Sequence, residues 1–105
     1  MAALRAALIL NPQNQTANRN LAAMLVQRIH YDEALPYARR AVELSPNHAL
    51  AHDLLGVVLT FQSKPTEAFA EFEQAVQLNP RDPSILEHYQ ATAQERQRRG
   101  AVASR

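Results

Sequence analysis

Cysteine is missing from all 105 residues, which excludes disulfides and thiolate metal sites. Glycine is almost missing too, with only Gly56 and Gly100, so there is no glycine-rich phosphate loop and no nucleophile elbow. Scarce glycine beside abundant alanine favours helix over sheet, because alanine loses no side-chain entropy in a helix. Neither sign of charge dominates. Lys plus Arg number 11 and Asp plus Glu number 10, a formal charge of +1, so nothing steers the whole molecule toward nucleic acid or an anionic membrane. No apolar run approaches the roughly 20 residues that cross a bilayer. Residues 1–10 are apolar and small, but they hold Arg5, lack a basic leader and run into a polar stretch. They read as a helix of the fold, not a secretion signal, and the expected compartment is the cytoplasm. What is present suits one small soluble domain. Hydrophobic residues make up 47% and charged residues 20%, too apolar a mix for wholesale disorder.

The strings Leu10-Asn11-Pro12, Leu44-Ser45-Pro46 and Leu78-Asn79-Pro80 stand 34 residues apart. The same shift aligns Ala7 with Ala41 and Ala75, Leu21 with Leu55, Leu25 with Leu59, Ala22 with Gly56, and Ala34 with Ala68. A fixed period of this length marks a stacked repeat, in which each unit buries its apolar face against its neighbours. Each period reads as two helices, at 16–28 and 32–44 and again at 50–62 and 66–78, with apolar residues at helical spacing. Asp32 and Thr66 are expected N-caps, Pro46 and Pro80 stop the second helices, and Pro36 is expected in a first turn, where its missing amide costs little. Ala22 with Ala34, and Gly56 with Ala68, are small enough for two helices to cross closely. Asp82 and Pro83 announce a last helix whose apolar face is Ile85, Leu86 and Tyr89. Gly100 is expected to end it.

With this period and helix–turn–helix pattern, the chain resembles the tetratricopeptide repeat family. The resemblance implies an all-α, right-handed solenoid of antiparallel hairpins with about six helices. Residues 1–14 match the second half of a repeat, 15–48 and 49–82 are complete repeats, 83–99 are a C-terminal capping helix, and 100–105 are a frayed tail. Asn18 and His52 replace an aromatic common in the family, so looser packing is expected there. Ala38 replaces the bulky residue seen at Phe72.

In the family the first helices line a concave groove that holds a partner protein or peptide. Carried over, the groove residues are Arg19, Asn20, Ala23 and Gln27, then Leu50, Asp53, Leu54, Val57 and Phe61, then Glu87 and His88. Leu50, Leu54, Val57 and Phe61 form a second apolar stripe on helix 50–61. Such a helix is either buried on all sides or carries an interaction face. The basic clamp used by relatives that hold acidic chaperone tails is mostly missing. Ala23, Leu54, Ser84 and His88 occupy its places, while Asp53 and Glu87 would repel a carboxylate.

No cofactor, metal or catalytic set is implied. His48 and His52 have metal-pair spacing but no acidic third ligand at a sensible place in sequence, and Glu71 and Glu73 point to different helix faces. The basic end at 96–99 suits a helix C-terminus, and nucleic acid is not the expected partner. The leading expectation is a non-enzymatic interaction scaffold. Its competitors are self-assembly through Leu4, Leu8 and Ile9, and a substrate-recruiting piece of a larger enzyme.

Overall fold

The computed structural model describes residues 2–103, with side chains over 2–99. Six helices follow one another: α1 (Ala2–Leu10), α2 (Gln15–Gln27), α3 (Tyr31–Leu44), α4 (Ala49–Phe61), α5 (Pro65–Leu78) and α6 (Pro83–Ala103). Among the described residues there is no strand. The chain is an all-α helical-repeat solenoid. The α2–α3 and α4–α5 hairpins pack most extensively, and each second helix also leans on the first helix of the next unit. The result is elongated, 53 × 27 × 19 Å.

The core runs through the four middle helices. Leu21, Ala22, Leu25, Ala34, Ala38, Leu55, Val58, Leu59, Ala68 and Phe72 form one buried cluster. Full burial of a side chain such as Phe72 or Leu21 is worth about 1.5–3 kcal/mol against leaving it in water. The two hairpins close on different pairs. A Cβ added at Gly56 would lie 2.5 Å from Cε1 of Phe72, so glycine is what lets the ring lie against α4. One repeat earlier the same places hold Ala22 and Ala38, both buried. A methyl group facing a methyl group thus replaces bare backbone facing a ring.

Helices α2 and α4 end alike. Ile29 and Ser63 take positive φ values of 66° and 61°. His30 N–H donates to Leu25 C=O at 2.8 Å and Lys64 N–H to Leu59 C=O at 3.0 Å; Ile29 N–H donates to Val26 C=O and Ser63 N–H to Thr60 C=O. These paired bonds tie off the final carbonyls and aim the chain straight into the next helix. For this reason α3 and α5 begin earlier than expected, with His30 and Lys64 in the cap position and no side-chain cap bond. Asp32 and Thr66 are not caps. They lie inside the first turn, where Asp32 accepts a hydrogen bond from Gln62 Nε2 at 2.8 Å. The same shift puts Pro36 in the second turn of α3, where its ring forfeits the bond to Asp32 C=O. Asn14 and Asp82 do cap. Asn14 Oδ1 accepts from Ala17 N–H at 3.0 Å, and Asp82 Oδ1 from Ser84 N–H at 2.9 Å.

Two further expectations are corrected. Asn18 and His52 are 3% and 6% exposed, and neither is loosely packed. Asn18 Nδ2 donates to the carbonyls of Pro12 and Asn14, at 3.1 and 2.9 Å. His52 Nε2 lies 2.7 Å from Pro46 C=O and its Nδ1 2.9 Å from Glu71 Oε1. Each side chain ties a first helix to the proline turn before it, so polar pegs do the work expected of an aromatic. The last helix continues through Gly100 to Ala103, since one glycine costs a helix only about 1 kcal/mol against alanine. Of the expected frayed tail, residues 104 and 105 lie outside the described residues, as does Met1.

Candidate functional site

The first helices α2, α4 and α6 lie side by side, with α4 touching both others. Between α4 and α6 runs a trough made of two adjoining cavities. One, about 170 Å³, is lined by Val57, Thr60, Phe61, Phe72, His88, Ala91 and Thr92. Its continuation, about 340 Å³, shares Thr60, Ala91 and Thr92 and reaches Ser63, Pro65, Glu95 and Arg99. The trough is therefore apolar in its middle and polar toward the C-terminal ends of both helices. The small Ala91 on α6 opens it, and the Phe72 ring admitted by Gly56 forms part of its floor.

Beside the apolar cavity, His88 Nδ1 lies 2.8 Å from Asp53 Oδ1. Burial raises the Asp53 carboxyl above the ordinary aspartate value, since removing water penalises the charged form. The bond and charge of His88 oppose that rise, while nearby Asp82 adds to it. His88 also tilts against the Phe72 ring at 5.5 Å between centroids. Further along α6, Glu95 is held ionised below the usual carboxylate range, first by its hydrogen bond from Arg99 and also by Arg98.

Of the expected groove residues, Val57, Phe61 and His88 line the apolar cavity, and Asp53 joins them through His88. Leu50 is exposed, whereas Leu54 packs partly into the core and shares the burial of the helix with it. Arg19 turns toward His48, with Nη1 3.3 Å from Nε2. Asn20, Gln27 and Glu87 are exposed and Ala23 half-buried, and none of these four lines either cavity. Sequence reasoning passed over Phe72, Thr60 and Thr92. A signal existed for Phe72, because a phenylalanine stands where the preceding repeat has Ala38. For the two threonines there was none.

His48 and His52 do not converge as a metal pair. Both ring nitrogens of His52 face oxygen atoms, and no group of three potential metal ligands exists among the described residues. Nor is any described helix long and apolar enough to cross a membrane. At the other end, Leu4 and Leu8 are half-buried against the core, while Ile9 and Leu10 are 82% and 88% exposed. Arg5, Leu8, Ile9 and Tyr37 line a separate open cavity there.

Residues 19–45 match the family model described as tetratricopeptide repeat. A curated relative, the protein O-mannosyl-transferase Tmtc2 of Drosophila melanogaster, is 32% identical over 78 residues, 73% of this chain. The chain spans only 8% of that protein's length. Among solved structures, the first such repeat domain of Spaghetti (RPAP3), bound to the HSP90 peptide SRMEEVD, superposes with a TM-score of 0.83 at 18% identity, over 88% of this chain and 73% of that one. Residues from 41 onward of MamA from Desulfovibrio magneticus RS-1 superpose with a TM-score of 0.85 at 22% identity, over 98% of this chain and 58% of that one.

Proposed function

Because the chain belongs to the tetratricopeptide repeat family, we propose that it is a non-enzymatic scaffold, built as two full repeats flanked by a half repeat and a capping helix, that holds a partner peptide in the trough between α4 and α6. The observation that carries this reading is the apolar cavity among Val57, Phe61, Phe72 and Ala91, open to solvent beside the Asp53–His88 pair. It offers room for an apolar side chain, with polar groups along the trough to orient the backbone around it. Leu50, exposed on the same helix, extends the apolar contact toward the N-terminal end of α4.

The trough is not built for an acidic chaperone tail. Asp53 beside it carries the wrong charge, as does Glu87, exposed on α6 outside both cavities, and Arg19 is engaged with His48. The peptide SRMEEVD, bound by the Spaghetti domain, is expected to leave this chain's spectrum unchanged. Peptides selected from a display library against the intact chain, measured by calorimetry, test the positive claim. Val57→Asp and Phe61→Ala should each weaken them tenfold or more. Unchanged affinity in both variants would overturn the assignment of the trough.

The match to the transferase favours a second reading, in which the array recruits substrate beside a catalytic domain. The neighbouring coding sequence decides it: a transferase domain in the same reading frame would support this reading, and its absence would remove it. Self-association through Leu4, Leu8 and Ile9 remains a third. Light scattering at high concentration tests it, and a monomer would rule it out.

A further inference from the structure

The apolar cavity between α4 and α6 shows few polar groups, and they share one character. Thr60, His88 and Thr92 are its polar lining residues. A hydroxyl has one proton to give and two lone pairs that can accept. Thr60 Oγ1 donates its proton to Gly56 C=O and Thr92 Oγ1 donates to His88 C=O, each at 2.9 Å. His88 turns Nδ1 to Asp53 Oδ1 at 2.8 Å, and in the neutral ring that bond uses the one N–H. The other ring nitrogen then offers only a lone pair. Backbone amides of both helices are committed to their own turns. The polar atoms bordering the apolar cavity are therefore acceptors. Donors lie farther along, on Ser63 and on Arg99, which is paired with Glu95.

The repeat does not require either hydroxyl. One repeat before Thr60 stands Val26, and one repeat before Thr92 stands Val58, which is fully buried. Valine has the outline of threonine without the oxygen, so the sister helices are built from the same shape. Both oxygens belong to residues that line the apolar cavity and its polar continuation together.

An open apolar cavity bordered by acceptors complements an apolar side chain that carries an N–H and no acceptor. Tryptophan meets that description: its indole N–H donates and accepts nothing, whereas phenylalanine has no donor and tyrosine brings an acceptor with its donor. A cavity of about 150 Å³ is enough for a benzene ring. This one, about 170 Å³, opens into a continuation of about 340 Å³, which leaves room for a second fused ring.

We propose that the trough selects a tryptophan of its partner, with the indole ring against Val57, Phe72 and Ala91 and the N–H donated to the hydroxyl oxygen of Thr60 or Thr92. The two threonines are then the residues that determine specificity. This specificity rests on the trough being the partner site and adds which side chain it takes.

Three probes titrated at millimolar concentration into the isotope-labelled chain test it: N-acetyl-tryptophanamide, N-acetyl-phenylalaninamide and the N-acetyl amide of benzothienylalanine, in which sulfur replaces the indole N–H. The expected result is amide shifts at Val57, Ala91 and Thr92, with the tryptophan probe at least threefold tighter than either of the others. In the double variant Thr60→Val, Thr92→Val, which copies Val26 and Val58, the preference over the sulfur analogue should disappear while the same amides still shift. Equal affinity of the tryptophan and sulfur probes for the parent chain would overturn the assignment, as would a preference that survives in the double variant. Absence of shifts at Val57 and Ala91 with the tryptophan probe would overturn it too. Each of these outcomes leaves the trough itself standing, which falls only if display-selected peptides ignore both Val57→Asp and Phe61→Ala.

Discussion

At the scale of single residues, the Gly56–Phe72 contact leaves no room for a Cβ at position 56. A methyl group on Gly56 would meet the buried ring at 2.5 Å, so the ring would have to shift to admit it. Gly56→Ala should cost about 1–3 kcal/mol by overpacking, and Phe72→Ala about 3–5 kcal/mol through the void it leaves. The double variant reproduces the Ala22 and Ala38 pair of the first repeat. It should be less destabilised than the two costs added together, as a double-mutant cycle by urea unfolding would show. Asp53 sets a pH dependence. Its carboxyl is raised in the fold, so the folded chain keeps this proton at pH values where the unfolded chain has released it. Its stabilising contribution is whole below the ordinary value of 3.8 and fades as pH climbs through the raised value. Asp53→Asn should abolish that decline, so unfolding measured across this window should show a flatter profile than the parent chain.

At the scale of helices, the two repeats act as controls for each other. Pro36 forfeits a backbone bond within α3, whereas the same place in α5 is Ala70. Pro36→Ala should therefore stabilise the chain, by up to about 3 kcal/mol. A lower melting temperature would show that the ring contributes packing that outweighs the lost bond. Arg5 and Glu33 link α1 to α3 at 3.6 Å, and Arg39 and Glu67 link α3 to α5 at 3.4 Å, the same contact one repeat on. All four groups are well solvated, so removing either link should change stability by less than about 1 kcal/mol. Helix number, pairing and the small crossing residues were legible in the sequence, because a 34-residue period fixes them whatever the local detail. Helix starts were not. They depend on how α2 and α4 unwind through Ile29 and Ser63, and nothing in an isoleucine or a serine announces a left-handed turn. The pegs at Asn18 and His52 escaped for a related reason. Their partners are the backbone carbonyls of Pro12 and Pro46, which have no sequence signature.

At the scale of the whole molecule, the resemblance to the repeat family implied a groove on the concave side and spread the site over three helices. We place it between α4 and α6, where alanine at 91 leaves space that a bulkier residue would fill. Between α2 and α4 the corresponding side chains are engaged with one another, as Arg19 is with His48. The fold thus presents one trough between α4 and α6, with Phe61 among the residues that line it. Backbone and methyl NMR of the intact chain, titrated with a display-selected peptide, tests the inner site most directly. Saturable shifts should cluster at Val57, Phe61, His88 and Ala91, and Val57→Asp should erase them. Shifts that instead gather on the outward faces of α3 and α5, or that survive Val57→Asp, would contradict a partner held in the trough.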